Sequence, residues 1–286
     1  MTIKDIEVGS RFGETSKFRV YHGTMIDSRQ PVIVKVAKTF EDGDVLAEEA
    51  AKFTRMRIFA DELKKLEQKA KNKDSGYGLL FANLEASFLE ATQDDRRVNV
   101  FSIPEIEPEK LIPLPKLRDK LVIDLRTSAW ILGRLFKFYS FFELQAEEDD
   151  IPFARYPTFL PSDFLIAPRE HRLIYYNFSD EEWDVVAFET IKPIVSFISD
   201  WCEPKIEDVR SGGEYYIPFF KGDKTATEMH DYLTMLERFK TKGCYSFSNA
   251  HKEFYKTIEE LWGIKYYPFT YHSSKTTFWH TIKEEK

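Results

Sequence analysis

Four prolines fall within twelve residues, at 104, 108, 113 and 115, and they separate two stretches of different periodicity. Proline has no backbone N–H and a fixed φ, so a segment this rich in it neither continues a helix nor enters the middle of a sheet. In front of it lie short β-branched runs with turn punctuation. Lys17-Phe-Arg-Val-Tyr-His-Gly, the turn Asp27-Ser-Arg-Gln-Pro and Val32-Ile-Val-Lys-Val together predict an antiparallel hairpin. Asp44 to Lys73 turns helical, with Phe53, Met56, Phe59, Leu63 and Leu66 on one apolar stripe. Leu84 to Thr92 and Arg97 to Ile103 flank Asp94-Asp95 as a second hairpin. Behind the prolines, helices are predicted over Asp124 to Leu144, Glu181 to Trp201, Ala226 to Phe239 and Ser248 to Trp262, after the loop Lys221-Gly-Asp-Lys-Thr. A strand pair, Phe164 to Phe178, folds about His171-Arg172. The expected division is therefore a strand-rich region over residues 1–103, a Pro-rich hinge over 104–115 and a mostly helical region over 116–286.

Composition narrows the function classes. The 286 residues are 43% hydrophobic and 31% charged, which is ordinary globular usage and argues against a disordered tail or a coiled coil. The net charge of -7 lacks the basic excess of a general nucleic-acid binder, so no nucleic-acid partner is expected. Cys202 and Cys244 are the only cysteines, too few for a disulfide framework, and a reducing cytoplasm is expected. The first residues carry acids where a signal peptide needs an apolar stretch. No run reaches the roughly 18 apolar residues of a membrane span, so no membrane association is expected. The six histidines (22, 171, 230, 251, 272 and 280) show no ligand spacing of three or four, which points away from a zinc site. The late aromatics from Tyr266 to Trp279 read as core packing of a terminal segment or a partner-binding tail.

The order of hairpin, strand lysine, acid-bearing helix, second hairpin, Pro-rich hinge and helical region resembles the protein-kinase fold. That resemblance implies an α+β chain with a small antiparallel-sheet N-lobe and a mostly helical C-lobe. Val20-Tyr-His-Gly and Val32-Ile-Val-Lys35 resemble the second and third kinase strands, which makes Lys35 the expected phosphate-pairing lysine. Glu49 resembles the acid of the following helix that holds this lysine, with Glu48 as the close competitor. Ile151 to Ser179 resembles the stretch from the catalytic loop to the metal-binding loop. Tyr156-Pro157-Thr158 stands in the His-Arg-Asp place, Asp163 in the Asn place and Asn177-Phe178-Ser179 in the Asp-Phe-Gly place. The helix from Asp124 and the segment His251 to Phe269 resemble helices of bacterial Ser/Thr kinase-like proteins.

The departures bear on chemistry. Phosphoryl transfer needs a carboxylate to orient the attacking hydroxyl, metal ions across the phosphates and cations for the developing charge. Thr158 stands where that acid belongs, and Leu160 replaces the helper lysine, so no catalytic residue is intact. Asp163 and Asn177 are the expected metal positions, in exchanged order and with one carboxylate between them, which implies at most a weak Mg2+ or Mn2+ site. Gly13, Thr15 and Phe18 fall at the three glycine positions of the phosphate-covering loop, and only Gly13 keeps the glycine. After Asn177-Phe-Ser the next helix is expected at once, with no activation segment to dock a peptide. The resemblance thus implies a catalytically impaired pseudokinase, a regulatory scaffold for an unidentified protein partner, with weak ATP binding through Gly13, Lys35 and Glu49. The alternatives are an unconventional ATP-dependent phosphotransferase, on a small molecule or a protein, and an interaction protein that takes no nucleotide.

Overall fold

The β-branched runs ahead of the prolines become strands of one antiparallel sheet in a computed structural model of the chain. The structure describes residues 2–70, 75–91, 94–103, 105–106, 110–117, 125–150, 154–168, 170–178, 186–202 and 223–262. They fall into two units: Met1–Leu114 with Pro161–Glu181, and Pro115–Leu160 with Glu182–Lys286.

The first unit carries β1 (Ile6–Glu14), β2 (Phe18–Met25), β3 (Pro31–Ala37), β4 (Asn83–Glu90) and β5 (Arg96–Ser102), in the order β1-β2-β3-β5-β4. Period-2 alternation gives the sheet two unlike faces. Val32 and Val34 of β3 join Val98, Val100 and Ile6 in a buried apolar cluster on one face. The intervening Lys35 and Asn99, cross-strand partners, turn to the other face and reach α1 (Gly43–Lys69), whose residues they hydrogen-bond. Leu46, Glu49, Ala50, Phe53 and Met56 are buried on α1 at spacings of three and four, one charged residue set in an apolar stripe. Phe53 packs on Phe101 of β5 with ring centroids 4.8 Å apart. At the turn between β4 and β5, Asp94 and Asp95 both take left-handed φ, 55° and 54°, which aspartate tolerates better than most residues.

A second sheet, β6 (Ile112–Pro113), β7 (Phe164–Ala167) and β8 (Arg172–Tyr175), pairs in the order β6-β7-β8. The backbone N–H of Ala82 donates to the carbonyl of Tyr175 at 3.0 Å, tying β8 to the residue just before β4. Residues 161–181 therefore belong with the strand-rich unit and not with the helical one. The Pro-rich segment is also more than a hinge. Ile112 and Pro113 pair with β7, while Ile106 and Leu114 are buried. Pro113 is tolerated because β6 is an edge strand, where a missing donor costs little.

The second unit contains α2 (Leu125–Glu148), α3 (Ala187–Cys202), α4 (Asp223–Lys242) and α5 (Phe247–Trp262). The α4 helix starts three residues before Ala226, within the segment expected as a loop. The ring of Phe136 on α2 meets those of Phe239, Phe247 and Phe254 at 5.4, 5.9 and 5.7 Å. Gly133 lets α5 approach closely, since a Cβ there would stand 3.0 Å from the Phe254 ring and 3.1 Å from the Tyr255 hydroxyl. The late aromatics from Tyr266 lie outside the described residues. Among the described residues no helix is long and apolar enough to cross a membrane.

Candidate functional site

Lys35 sits mid-strand on the α1 face of the first sheet, and neither its side chain nor that of Glu49 has exposed surface. Leaving a bare ammonium or carboxylate there would cost several kcal/mol, so each must be paired and hydrogen-bonded. Lys35 Nζ donates to Glu49 Oε1 at 2.5 Å, to the Tyr176 carbonyl at 2.7 Å and to Asn177 Oδ1 at 2.9 Å. An ammonium has three N–H donors, and each finds an acceptor. The rings of Phe18, Phe101 and Tyr176 stand 5.2, 5.2 and 5.1 Å from the same nitrogen, close enough for cation–π attraction.

Glu49 is satisfied in the same way. Besides Lys35, its Oε1 accepts from the Phe178 backbone N–H at 3.1 Å, and its Oε2 accepts from Asn99 Nδ2 at 3.1 Å. Asn99 Nδ2 also donates to the Leu46 carbonyl at 2.8 Å, so one amide fastens both the carboxylate and the backbone of α1 to β5. The Phe178 ring packs edge-on against Phe53 of α1 with centroids 4.5 Å apart.

The β7–β8 hairpin supplies the rest. Its register pairs Phe164 with Tyr175, and one step further the Tyr176 N–H donates to the Asp163 carbonyl at 3.1 Å. Asp163, which closes a 3-10 turn (Pro161–Asp163), is thereby carried next to Asn177, whose Nδ2 donates to Asp163 Oδ1 at 2.7 Å. Burial pulls the Lys35 ammonium below the usual lysine range, against the pull of Glu49 and Asp163. Burial likewise pushes the Tyr176 phenol up, reinforced by the Asp163 and Glu49 carboxylates.

The structure thus brings four of the expected site residues, Lys35, Glu49, Asp163 and Asn177, into one hydrogen-bonded chain. Glu49 and not Glu48 faces Lys35; Glu48 is exposed. Gly13 pairs with Val20, which pairs with Lys35, so Gly13 lies two strand spacings away, roughly 10 Å. A Cβ on Gly13 would meet only Val20, at 3.4 Å, an ordinary contact, so this position does not require glycine. Thr158 and Leu160 lie in the second unit, in the coil after Tyr156. The two expected metal positions do not present two oxygens to a common point, because Asn177 turns its NH2 toward Asp163. Asn99 and Tyr176 were not anticipated. The signal for Asn99 was available: a polar residue set within the apolar run Val98, Val100 and Phe101 of β5.

A five-stranded antiparallel sheet with one crossing helix, a lysine–glutamate pair between them and a helical remainder together define a protein-kinase-like fold of the α+β class. The chain is similar in structure to vaccinia related kinase 3, at TM-score 0.52 and 11% identity over 90% of this chain and 87% of that one. It also matches a Plasmodium kinase domain at TM-score 0.40 and 12% identity, over 57% of this chain and 40% of that one. No protein-family model and no curated protein matches the sequence.

Proposed function

We propose that this chain is a catalytically impaired kinase-like protein, a pseudokinase that works in the cytoplasm as a binding or regulatory scaffold for a protein partner. The observation that carries the reading is the saturation of Lys35. Its three N–H groups already have acceptors and three rings wall it in. A nucleotide phosphate reaching this ammonium must replace the Tyr176 carbonyl or the Asn177 amide. Hydrogen bonds to a charged group contribute about 1.5–3 kcal/mol each, so little net affinity remains. Thr158 at the orienting-acid place and Leu160 at the helper-lysine place support the same reading from the sequence.

Thermal unfolding with ATP alone and with Mg2+ or Mn2+ tests the nucleotide side. A dissociation constant at or above the ATP concentration contributes less than about 0.5 kcal/mol, a rise of roughly 1–2 °C at most for a domain of this size. A phosphate-transfer assay with a generic protein substrate tests the activity side, with transfer at background expected. The intact Lys35–Glu49 pair favours one second reading, an unconventional phosphotransferase. Robust transfer that disappears in Lys35→Ala and Asp163→Ala but persists in Glu148→Ala would install it in place of the scaffold.

A further inference from the structure

The side chains of Asp163, Asn177 and Lys35 form a chain of charge, amide and charge. Asn177 Nδ2 donates to Asp163 Oδ1 at 2.7 Å, and Asn177 Oδ1 accepts from Lys35 Nζ at 2.9 Å. A carboxylate offers only acceptors and an ammonium only donors, so a single orientation of the amide suits both neighbours. Turned over, it would set NH2 against the ammonium and C=O against the carboxylate. Both neighbours are in turn fixed. Asp163 is almost fully buried at the start of β7, and Lys35 is held by Glu49 and Tyr176.

A hard divalent cation takes oxygen ligands, six or so, and Mg2+ demands them near 2.1 Å in octahedral array. At this place the amide meets Asp163 through N–H, and the amide oxygen that would serve a cation is directed at Lys35. Among the described residues no three His, Cys, Asp or Glu side chains are gathered so as to hold a metal ion.

We propose that the Asn177 amide is a built-in replacement for a divalent cation, a neutral bridge that couples Asp163 to Lys35 and completes the buried cluster without metal. A carboxylate at 177 would put a third buried acid beside Glu49 and Asp163 with one ammonium between them, an excess that a divalent ion offsets. The amide avoids that excess. The inference rests on the scaffold reading for the meaning of the site, yet the two fail separately. Metal binding without phosphate transfer sinks the inference and spares the scaffold.

The test uses the full chain and Mn2+ alone, with no nucleotide, read by electron paramagnetic resonance titration and by thermal unfolding. The wild type is expected to bind no Mn2+ and to keep its midpoint at millimolar metal. Asn177→Asp is expected to unfold at a lower temperature without metal, to gain several degrees on adding Mn2+, and to lose that gain when Asp163→Asn is added. A folded Asn177→Asp protein blind to Mn2+ overturns the proposal. Wild-type Mn2+ binding that Asp163→Asn removes also overturns it. Should Asn177→Asp not fold, the comparison of wild type with Asp163→Asn decides: Mn2+ binding by neither supports the bridge.

Discussion

At the scale of single residues, Lys35 is defined by its neighbours, since it has no exposed surface through which water could solvate it. Removing the charge while leaving Glu49 in place strands a buried carboxylate with only the Asn99 amide and the Phe178 N–H as donors. Lys35→Met should therefore cost about 3–5 kcal/mol in denaturant unfolding, the usual penalty for breaking one side of a buried pair. Adding Glu49→Leu should return a large share of that loss, because two apolar groups can replace a buried pair at little cost. A double variant as unstable as the sum of the singles would contradict the pairing. Lys35 and Glu49 were legible through the resemblance of Val32-Ile-Val-Lys35 and of the helix after it to the kinase pattern, which left Glu48 open beside Glu49; a strand lysine and a helical acid taken singly carry no such signal. Tyr176 was not, because its role falls to a backbone carbonyl and a ring placed by the β7–β8 register. Phe18 was only half legible: placed by the resemblance at a position where the kinase loop has glycine, it stands beside the lysine as one wall of the site.

At the scale of elements, the start of α5 depends on a residue 104 positions away. Glu143 of α2 accepts from the N–H of Phe247, the N–H of Ser248 at 2.9 Å, the hydroxyl of Ser246 at 2.9 Å and the hydroxyl of Tyr156 at 2.7 Å. A carboxylate there satisfies orphan amides and complements the helix dipole. Burial first, and then this carboxylate, push the Tyr156 phenol well above its ordinary range. Glu143→Ala should cost about 2–3 kcal/mol, a lost cap together with bonds to a charged acceptor. Urea unfolding measures it, and a change below about 0.5 kcal/mol would count against the capping role. A second element-scale expectation concerns pH. His251 on α5 has its Nε2 buried with no hydrogen-bond partner among the described residues. Burial, then Lys137 and Arg134 of α2, hold its pKa down at about 4, against 6.5 for the unfolded chain. The unfolded state therefore binds the proton first. Stability from this group is complete above about pH 6.5 and declines as pH falls toward about 4, by at most about 3 kcal/mol. Between about pH 7.5 and pH 5 the wild type should lose more stability than His251→Gln, and equal losses would remove His251 from the account. Long apolar-striped helices such as α2 and α5 were legible as elements; β1 was not. Its residues from Glu7 to Arg11 are all exposed, so no alternation marks it, and it is a strand by virtue of pairing with β2 alone.

At the scale of the whole molecule, the strand-rich unit is assembled from two separated pieces of chain, and its polar cluster spans both. A fragment ending at Leu114 lacks β7 and β8 and with them the Tyr176 and Asn177 acceptors of Lys35. Such a fragment should show no cooperative thermal transition by circular dichroism, whereas the full chain should; a sharp transition in the fragment would show that the cluster is dispensable. This discontinuity was not legible from composition, which sets the boundary at the prolines. Composition marks where the chain changes periodicity, but which side a later hairpin joins is decided by tertiary pairing, here through β6 and the Ala82–Tyr175 bond.

The separation of the two pieces also sets a clock on biosynthesis. Lys35 and Asn177 are 142 positions apart. A ribosome adding roughly 5–20 residues per second makes Asn177 on the order of ten seconds after Lys35. For that interval the Lys35 ammonium lacks the Tyr176 and Asn177 acceptors, and the N–H groups they would take are left to water. The saturated ammonium that sets the character of the finished site is thus a late product of synthesis, and a nascent chain stalled before the β7–β8 hairpin would present to solvent an ammonium that the completed protein encloses.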